Sequence, residues 1–192
     1  MDQYPLIIDQ SQAHSDIVTD FSFSPFDDGL LVTGSQDQTI KLWRLPSAGL
    51  SADISDPVLV LPEQSRRVET VTWHPVSDAL MTSSSGVMLS MWDCVTGDQL
   101  WQGAEHGDQV IIKDCQIHIN QSLCQVQSVG WSWDGSQVAT QAKDKKLRLF
   151  DPRSGGGVVS EVDSHDAVKD SKLVWVSDQR LLTSGFSRDR YN

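Results

Sequence analysis

Apolar and polar residues alternate along this chain with the two-residue period of half-buried β-strands. The alternation comes in phrases. Val18-Thr-Asp-Phe-Ser-Phe23, Val68-Glu-Thr-Val-Thr-Trp73, Val126-Gln-Ser-Val-Gly-Trp131 and Ser171-Lys-Leu-Val-Trp175 read as one strand repeated, each copy ending on an aromatic residue. The first three lead through an apolar run containing Thr33, Thr82 or Thr140 to a closing pair, Leu42-Trp43, Met91-Trp92 or Leu149-Phe150. Between the first two strands of each phrase lie turn-forming clusters, Ser24-Pro-Phe-Asp-Asp-Gly29, His74-Pro-Val-Ser-Asp78 and Ser132-Trp-Asp-Gly135. Asp93-Cys-Val-Thr-Gly97 and Asp151-Pro-Arg-Ser-Gly155 turn the third strand into an outer one.

Trp43 and Trp92 are 49 residues apart and Trp131 and Trp175 are 44 apart, near the ~40–45 residues of one four-stranded propeller blade. The expected fold is therefore all-β, a WD40-type β-propeller. Its repeats run over residues 14–61, 64–104, 106–162 and 165–192, the last stopping short, so that 192 residues encode about three and a half blades of a presumed seven. Such an arc is expected to leave an unpaired edge at each end. The Trp92–Phe150 and Trp73–Trp131 spacings are both 58, and removing residues 110–125 restores both to 42. That 16-residue stretch reads as an in-frame retained intron or optional exon, or as a natural loop insertion. A genomic sequence without splice junctions near codons 109 and 126 would leave only the loop.

The first repeat carries His14 ahead of its inner strand, Thr33 and Ser35 in the next, Asp37 in a tight turn, and Trp43. Together these can form a chain of donors and acceptors that stiffens a blade when every member is satisfied. The third repeat offers His106, Thr140 and Asp144, with Phe150 in place of the tryptophan. The second keeps Thr82 and Trp92 but has Gln64 and Gly86 for the histidine and aspartate, so it is expected to lean on packing. A His beside a carboxylate is also the skeleton of general-base catalysis. Here the pair recurs at one blade position, as His165-Asp166 does again, with no Ser or Cys nucleophile in register. A structural role is expected, with no catalytic residue and no enzyme.

Net charge is −11 and the pI about 4.6. That disfavours nucleic acid, whose binding begins with a basic footprint. No apolar run approaches the ~18 residues of a membrane span, and Leu6-Ile-Ile8 is too short for a signal-peptide core. The expected location is the cytoplasm. The three cysteines, Cys94, Cys115 and Cys124, are an odd number, and Cys115, His118 and Cys124 lack the close pairing of zinc ligands. Reduced thiols, no metal and no cofactor are expected.

Three phrases carry a resemblance more specific than the repeat itself. Ser24 to Pro46, closing on Trp43-Arg-Leu-Pro46, is similar to an early blade of the coronins. Lys143-Asp-Lys-Lys-Leu-Arg-Leu-Phe-Asp-Pro-Arg153 and Leu181-Leu-Thr-Ser-Gly-Phe-Ser-Arg188 resemble later coronin phrases. His106-Gly-Asp-Gln109 and Asp170-Ser-Lys-Leu-Val-Trp175 resemble most the long, two-propeller members, the coronin-7 type. The resemblance implies a non-enzymatic scaffold that binds protein partners, actin filaments among them. It also implies a role in cytoskeletal organisation and a peripheral, partner-mediated association with Golgi membranes or vesicles. Two alternatives stand beside it: a WD adaptor for a trafficking or ubiquitin-ligase complex without actin binding, and a misspliced product without activity.

Filament surfaces are acidic, as is the chain, so contact would need a local positive patch. Lys143, Lys145, Lys146, Arg148 and Arg153 are the densest candidate, with Arg66 and Arg67 second. A solvated turn and edge is the plainer reading of the same residues.

Overall fold

A computed structural model describes residues 13–49, 54–103, 125–155, 157–164, 171–177 and 179–185. His106, His165, Asp166, Cys115, His118, Cys124 and residues 110–124 of the expected insertion lie outside the described residues. The described chain is all-β, as expected. β1 (Val18–Phe23), β2 (Leu30–Ser35), β3 (Ile40–Arg44) and β4 (Leu59–Val60) form the first antiparallel sheet in sequence order. β5 (Val68–Trp73), β6 (Leu80–Ser85), β7 (Met88–Asp93) and β8 (Gln99–Gln102) form the second. β9 (Val126–Trp131), β10 (Val138–Ala142), β11 (Lys146–Phe150) and β12 (Val158–Asp163) form the third, and β13 (Lys172–Ser177) with β14 (Arg180–Ser184) makes a hairpin. These are WD-type blades, three of them four-stranded.

Turn chemistry closes the hairpins locally. Gln38 and Lys145 sit at φ 69° and 66°, and the aspartate just before each caps the turn. Asp37 Oδ1 accepts from the Thr39 amide at 3.0 Å and Asp144 Oδ1 from the Lys146 amide at 3.0 Å. The second sheet needs no such aspartate, because Gly86 takes the left-handed conformation at φ 60° without a Cβ penalty.

The second and third sheets are covered on both faces, so the cores lie between sheets rather than inside one. Val32, Ile40 and Leu42 of the first sheet pack with Val68, Val71 and Trp73 of the second. Leu89 and Trp101 of the second meet Trp131, Val138 and Phe150 of the third, with Trp101 and Phe150 edge-on at 5.8 Å. Ala139 of the third packs with Leu173 and Trp175 of the hairpin. Where β5 approaches β2 and β13 approaches β9 the side chain disappears: a Cβ on Gly34 would lie 2.6 Å from Val68 Cγ1 and one on Gly130 2.7 Å from Leu173 Cδ1.

The tryptophan at the end of the second, third and fourth inner strands also stitches its blade to the one before. Trp73 Nε1 donates to the Ser22 carbonyl at 3.0 Å, Trp131 Nε1 to Thr82 Oγ1 at 3.1 Å, and Trp175 Nε1 to the Gly130 carbonyl at 3.0 Å. A buried indole N–H is thereby paired at each junction, where leaving it unmade would cost about 1–3 kcal/mol.

Candidate functional site

β1, β2 and β3 bring His14, Thr33, Asp37 and Trp43 into one chain of hydrogen bonds. His14 Nε2 is 2.8 Å from Thr33 Oγ1, and Trp43 Nε1 donates to that same hydroxyl at 2.9 Å. His14 Nδ1 is 3.0 Å from Asp37 Oδ2, which also accepts from the Ser15 amide at 2.9 Å. A carboxylate can only accept, so Nδ1 carries the proton and Nε2 accepts from Thr33. Ser35 stands one step aside, its hydroxyl accepting from the Asp37 amide at 3.1 Å and donating to the Ile17 carbonyl at 3.0 Å. Ser15 Oγ also reaches Asp37 Oδ2, at 3.5 Å, and the set as a whole locks β2 against β3 and the segment before β1.

A second neutral histidine joins the second and third sheets. His74 Nε2 donates to the Gly135 carbonyl at 3.1 Å, while Nδ1 accepts from the amides of Val76 at 3.2 Å and Ser77 at 2.9 Å. Its ring lies 4.5 Å from that of Trp131. Burial lowers the pKa of both histidines from 6.5, outweighing Asp37 at His14 and the Gly135 carbonyl at His74. At Asp37 burial works upward, but the bonds from Thr39 and Ser15 and the His14 ring bring it down to about 2.

The unfolded chain therefore binds protons more readily than the folded one at both histidines, and stability must fall as pH drops through their unfolded pKa. We expect the melting temperature to decline between about pH 7.5 and 5.5, before the Asp37 contribution is lost at lower pH. A melting temperature that stays flat or rises over that interval in thermal unfolding would contradict the assignment.

In the second sheet the structure corrects the expected register. Ser83 stands opposite Val71 as Thr33 stands opposite Phe21, and Trp92 Nε1 donates to Ser83 Oγ at 2.9 Å. Thr82 faces the other way and receives Trp131 from the next blade. The second blade thus keeps an indole hydrogen bond as well as its packing. Cys94, partly buried beside it, has its thiol pushed up to about 12 by burial and by Asp93. Since the thiolate is the reactive form, native Cys94 should alkylate at least ~100-fold more slowly than in the unfolded chain. Peptide mapping after iodoacetamide treatment checks this.

The five basic residues of the expected patch separate. Lys143 and Lys145 occupy the β10–β11 turn, where Lys143 Nζ donates to Gln125 Oε1 at 3.1 Å. Lys146 pairs with Asp163 at 2.7 Å and Glu161 at 3.4 Å. Arg148 is buried and held between Asp144 and Glu161, the latter at 2.7 Å. Thr140 lies across the strand pair from it. Arg153 sits at the opposite end of the blade, 3.1 Å from Asp151.

The two ends of the arc differ in charge, one mixed and the other dominated by aspartates. Where the inner strands begin, Lys143, Lys172 and Arg67 line a cleft of about 420 Å³ together with Thr19, Asp20, Glu69, Thr70 and Gln127; Lys145, Lys146 and Arg66 lie in the adjoining turns and strand ends, interspersed with Asp16, Asp37, Glu63, Asp144 and Asp163. At the other end the turns carry Asp27, Asp28, Asp56, Asp78, Asp93, Asp98, Asp134 and Asp151 against Arg44, Arg153 and Arg180. Sequence reasoning found the lysines but not this difference, because it depends on which turns share an end.

The WD domain, G-beta repeat family matches residues 7–44. The WD40 domain of Toxoplasma gondii coronin superposes with a TM-score of 0.76 at 23% identity, over 92% of this chain and 42% of that one, a likeness of fold. Coronin-7 of Homo sapiens is 40% identical over 178 residues, 92% of this chain. The chain belongs to the coronin family. It spans 17% of the length of that human coronin. Villidin of Dictyostelium discoideum is 36% identical over 175 residues, 88% of this chain and 10% of its own length. In coronin terms, the phrases Trp43-Arg-Leu-Pro46 and Asp151-Pro-Arg153 close β3 and β11 and open the turns at the acidic end. No helix among the described residues is long and apolar enough to cross a membrane.

Proposed function

We propose that this coronin chain is a non-enzymatic interaction module that binds acidic protein surfaces, actin filaments among them. The contact end is the one where its inner strands begin. The observation that carries this reading is the difference in charge between the ends. An acidic partner is repelled by the aspartate-rich turns and attracted to Lys143, Lys145, Lys172, Arg66 and Arg67. The buried, committed Arg148 and the distant Arg153 are left out of the contact; Lys146 stays at its rim. Cytoplasmic location and association with cytoskeleton and Golgi-derived membranes through partners follow from the same reading.

Co-sedimentation with actin filaments tests it. The chain is expected to pellet with filaments at low salt, and Lys143→Glu/Lys145→Glu/Lys146→Glu to weaken retention about tenfold, more so at low ionic strength. Equal retention of the two proteins, or none for either, would refute the filament contact. Capture of protein partners without filament binding would point to the adaptor role instead.

A further inference from the structure

Two neighbouring turns in the middle of the arc, β5–β6 and β9–β10, each hold an apolar side chain out to solvent. Val76 is 55% exposed and Trp133 62%. The second and third blades, which carry these turns, have a neighbour on both sides, so the surface is no open sheet face. A Cβ on Gly135 would lie 2.9 Å from Val76 Cγ2, which places the valine against the turn that bears the tryptophan. The His74 ring ties the two turns into one platform, donating from Nε2 to the Gly135 carbonyl and accepting at Nδ1 from the Val76 and Ser77 amides. Trp133 is fixed as well, its Nε1 donating to the Trp175 carbonyl at 3.2 Å. An indole whose N–H is already satisfied and whose ring is held has an apolar face to offer and little freedom to lose when it is covered.

The charge around these two side chains decides what can cover them. At this end the turns of the second and third blades carry Asp78, Asp93, Asp98, Asp134 and Asp151 against Arg153. Arg153 is taken by Asp151, and Asp78, Asp98 and Asp134 stand in no ion pair among the described residues. Asp134 accepts from the Ser132 hydroxyl at 2.7 Å and from the Ser136 amide and hydroxyl at 3.0 and 2.9 Å, all on Oδ1, so Oδ2 takes none of them. A purely apolar partner would strip water from these carboxylates without replacing it, and an acidic one would be repelled. A cation next to an apolar group meets both demands, since it neutralises the carboxylates and is drawn to the face of an indole.

We infer that this surface docks a basic segment of another protein, with a lysine or arginine over Trp133 beside Asp134 and an adjoining apolar side chain on Val76. It lies at the opposite end of the arc from Lys143 and Lys172. The contact is therefore separate from the one proposed for acidic partners, and a single chain has room to hold one of each.

Fluorescence anisotropy of a short labelled peptide of lysine, arginine and leucine, titrated with the full 192-residue chain in the absence of filaments, tests this. Saturable binding is expected with a Kd below about 100 μM at low ionic strength. Trp133→Ala should weaken it about tenfold or more. Asp78→Asn/Asp134→Asn keeps the Oδ1 acceptors, and it should also weaken binding about tenfold and flatten its salt dependence. Asp28→Asn/Asp56→Asn removes the same charge elsewhere at this end and should stay within about twofold of the parent chain. A peptide with serine for leucine should bind about tenfold more weakly. All five substituted side chains are exposed, so circular dichroism should show every variant folded. Absence of saturable binding, full binding by folded Trp133→Ala, equal losses for the two asparagine pairs, or equal affinity for the serine peptide would each overturn the inference. None of these outcomes depends on filament binding.

Discussion

Replacement of Thr33 by valine is expected to destabilise the chain by about 3 kcal/mol, though the two side chains have nearly the same shape. Its hydroxyl joins the Trp43 indole, 2.9 Å away, to His14 Nε2, 2.8 Å away, and all three groups are buried. Without it a buried donor and a buried acceptor are stranded together, each at a cost of about 1–3 kcal/mol. Thr33→Ser keeps the joint and should lose about 1 kcal/mol or less, the worth of one methyl group. Thermal unfolding of the pair separates the hydrogen bond from the packing. Equal losses for valine and serine would show that the hydroxyl is not the joint described.

Arg148→Met is expected to cost a similar amount, about 3 kcal/mol, and to lower the melting temperature by roughly 10 °C. Methionine fills the space of the aliphatic stem but leaves Asp144, 10% exposed at its side chain, without its guanidinium partner. Glu161, 39% exposed, turns to water at less cost. Adding Asp144→Asn to Arg148→Met should therefore recover more stability than adding Glu161→Gln. A double-mutant cycle with the reverse order would place the main partner at Glu161 instead.

Arg148 also shows where sequence reasoning stopped. Lys146-Leu-Arg-Leu149 alternates as a strand with one wet face should, and on that pattern both cations point to solvent. In a propeller both faces of a sheet are covered by neighbours, and carboxylates from the turn before β11 and from β12 reach in to meet the arginine. The strands themselves were legible because a two-residue alternation ending on an aromatic is written four times, and the aromatic does the same work at three junctions. The choice between Thr82 and Ser83 was not legible, since either hydroxyl could accept an indole N–H. It is decided by the β6–β7 hairpin, one residue shorter than β2–β3, which sets Met81 opposite Trp92 as Leu31 stands opposite Trp43 and so leaves Ser83, not Thr82, in the place of Thr33. The difference in charge was hidden for a related reason: alternate turns along the sequence lie at opposite ends of the arc.

The indole stitches tie each blade to its predecessor, and they make the unfolding of the chain a matter of neighbours. A sheet with a partner on both sides shares two cores and two sets of cross-blade bonds, as the second and third do. The β13–β14 hairpin shares one core and leaves Leu182 to water. In a linear array of this kind local opening begins at the least-coupled unit and travels inward. Amide hydrogen exchange should accordingly grade along the chain, fastest in β14 and slowest in β6 and β10, the strands sandwiched between two stitched junctions.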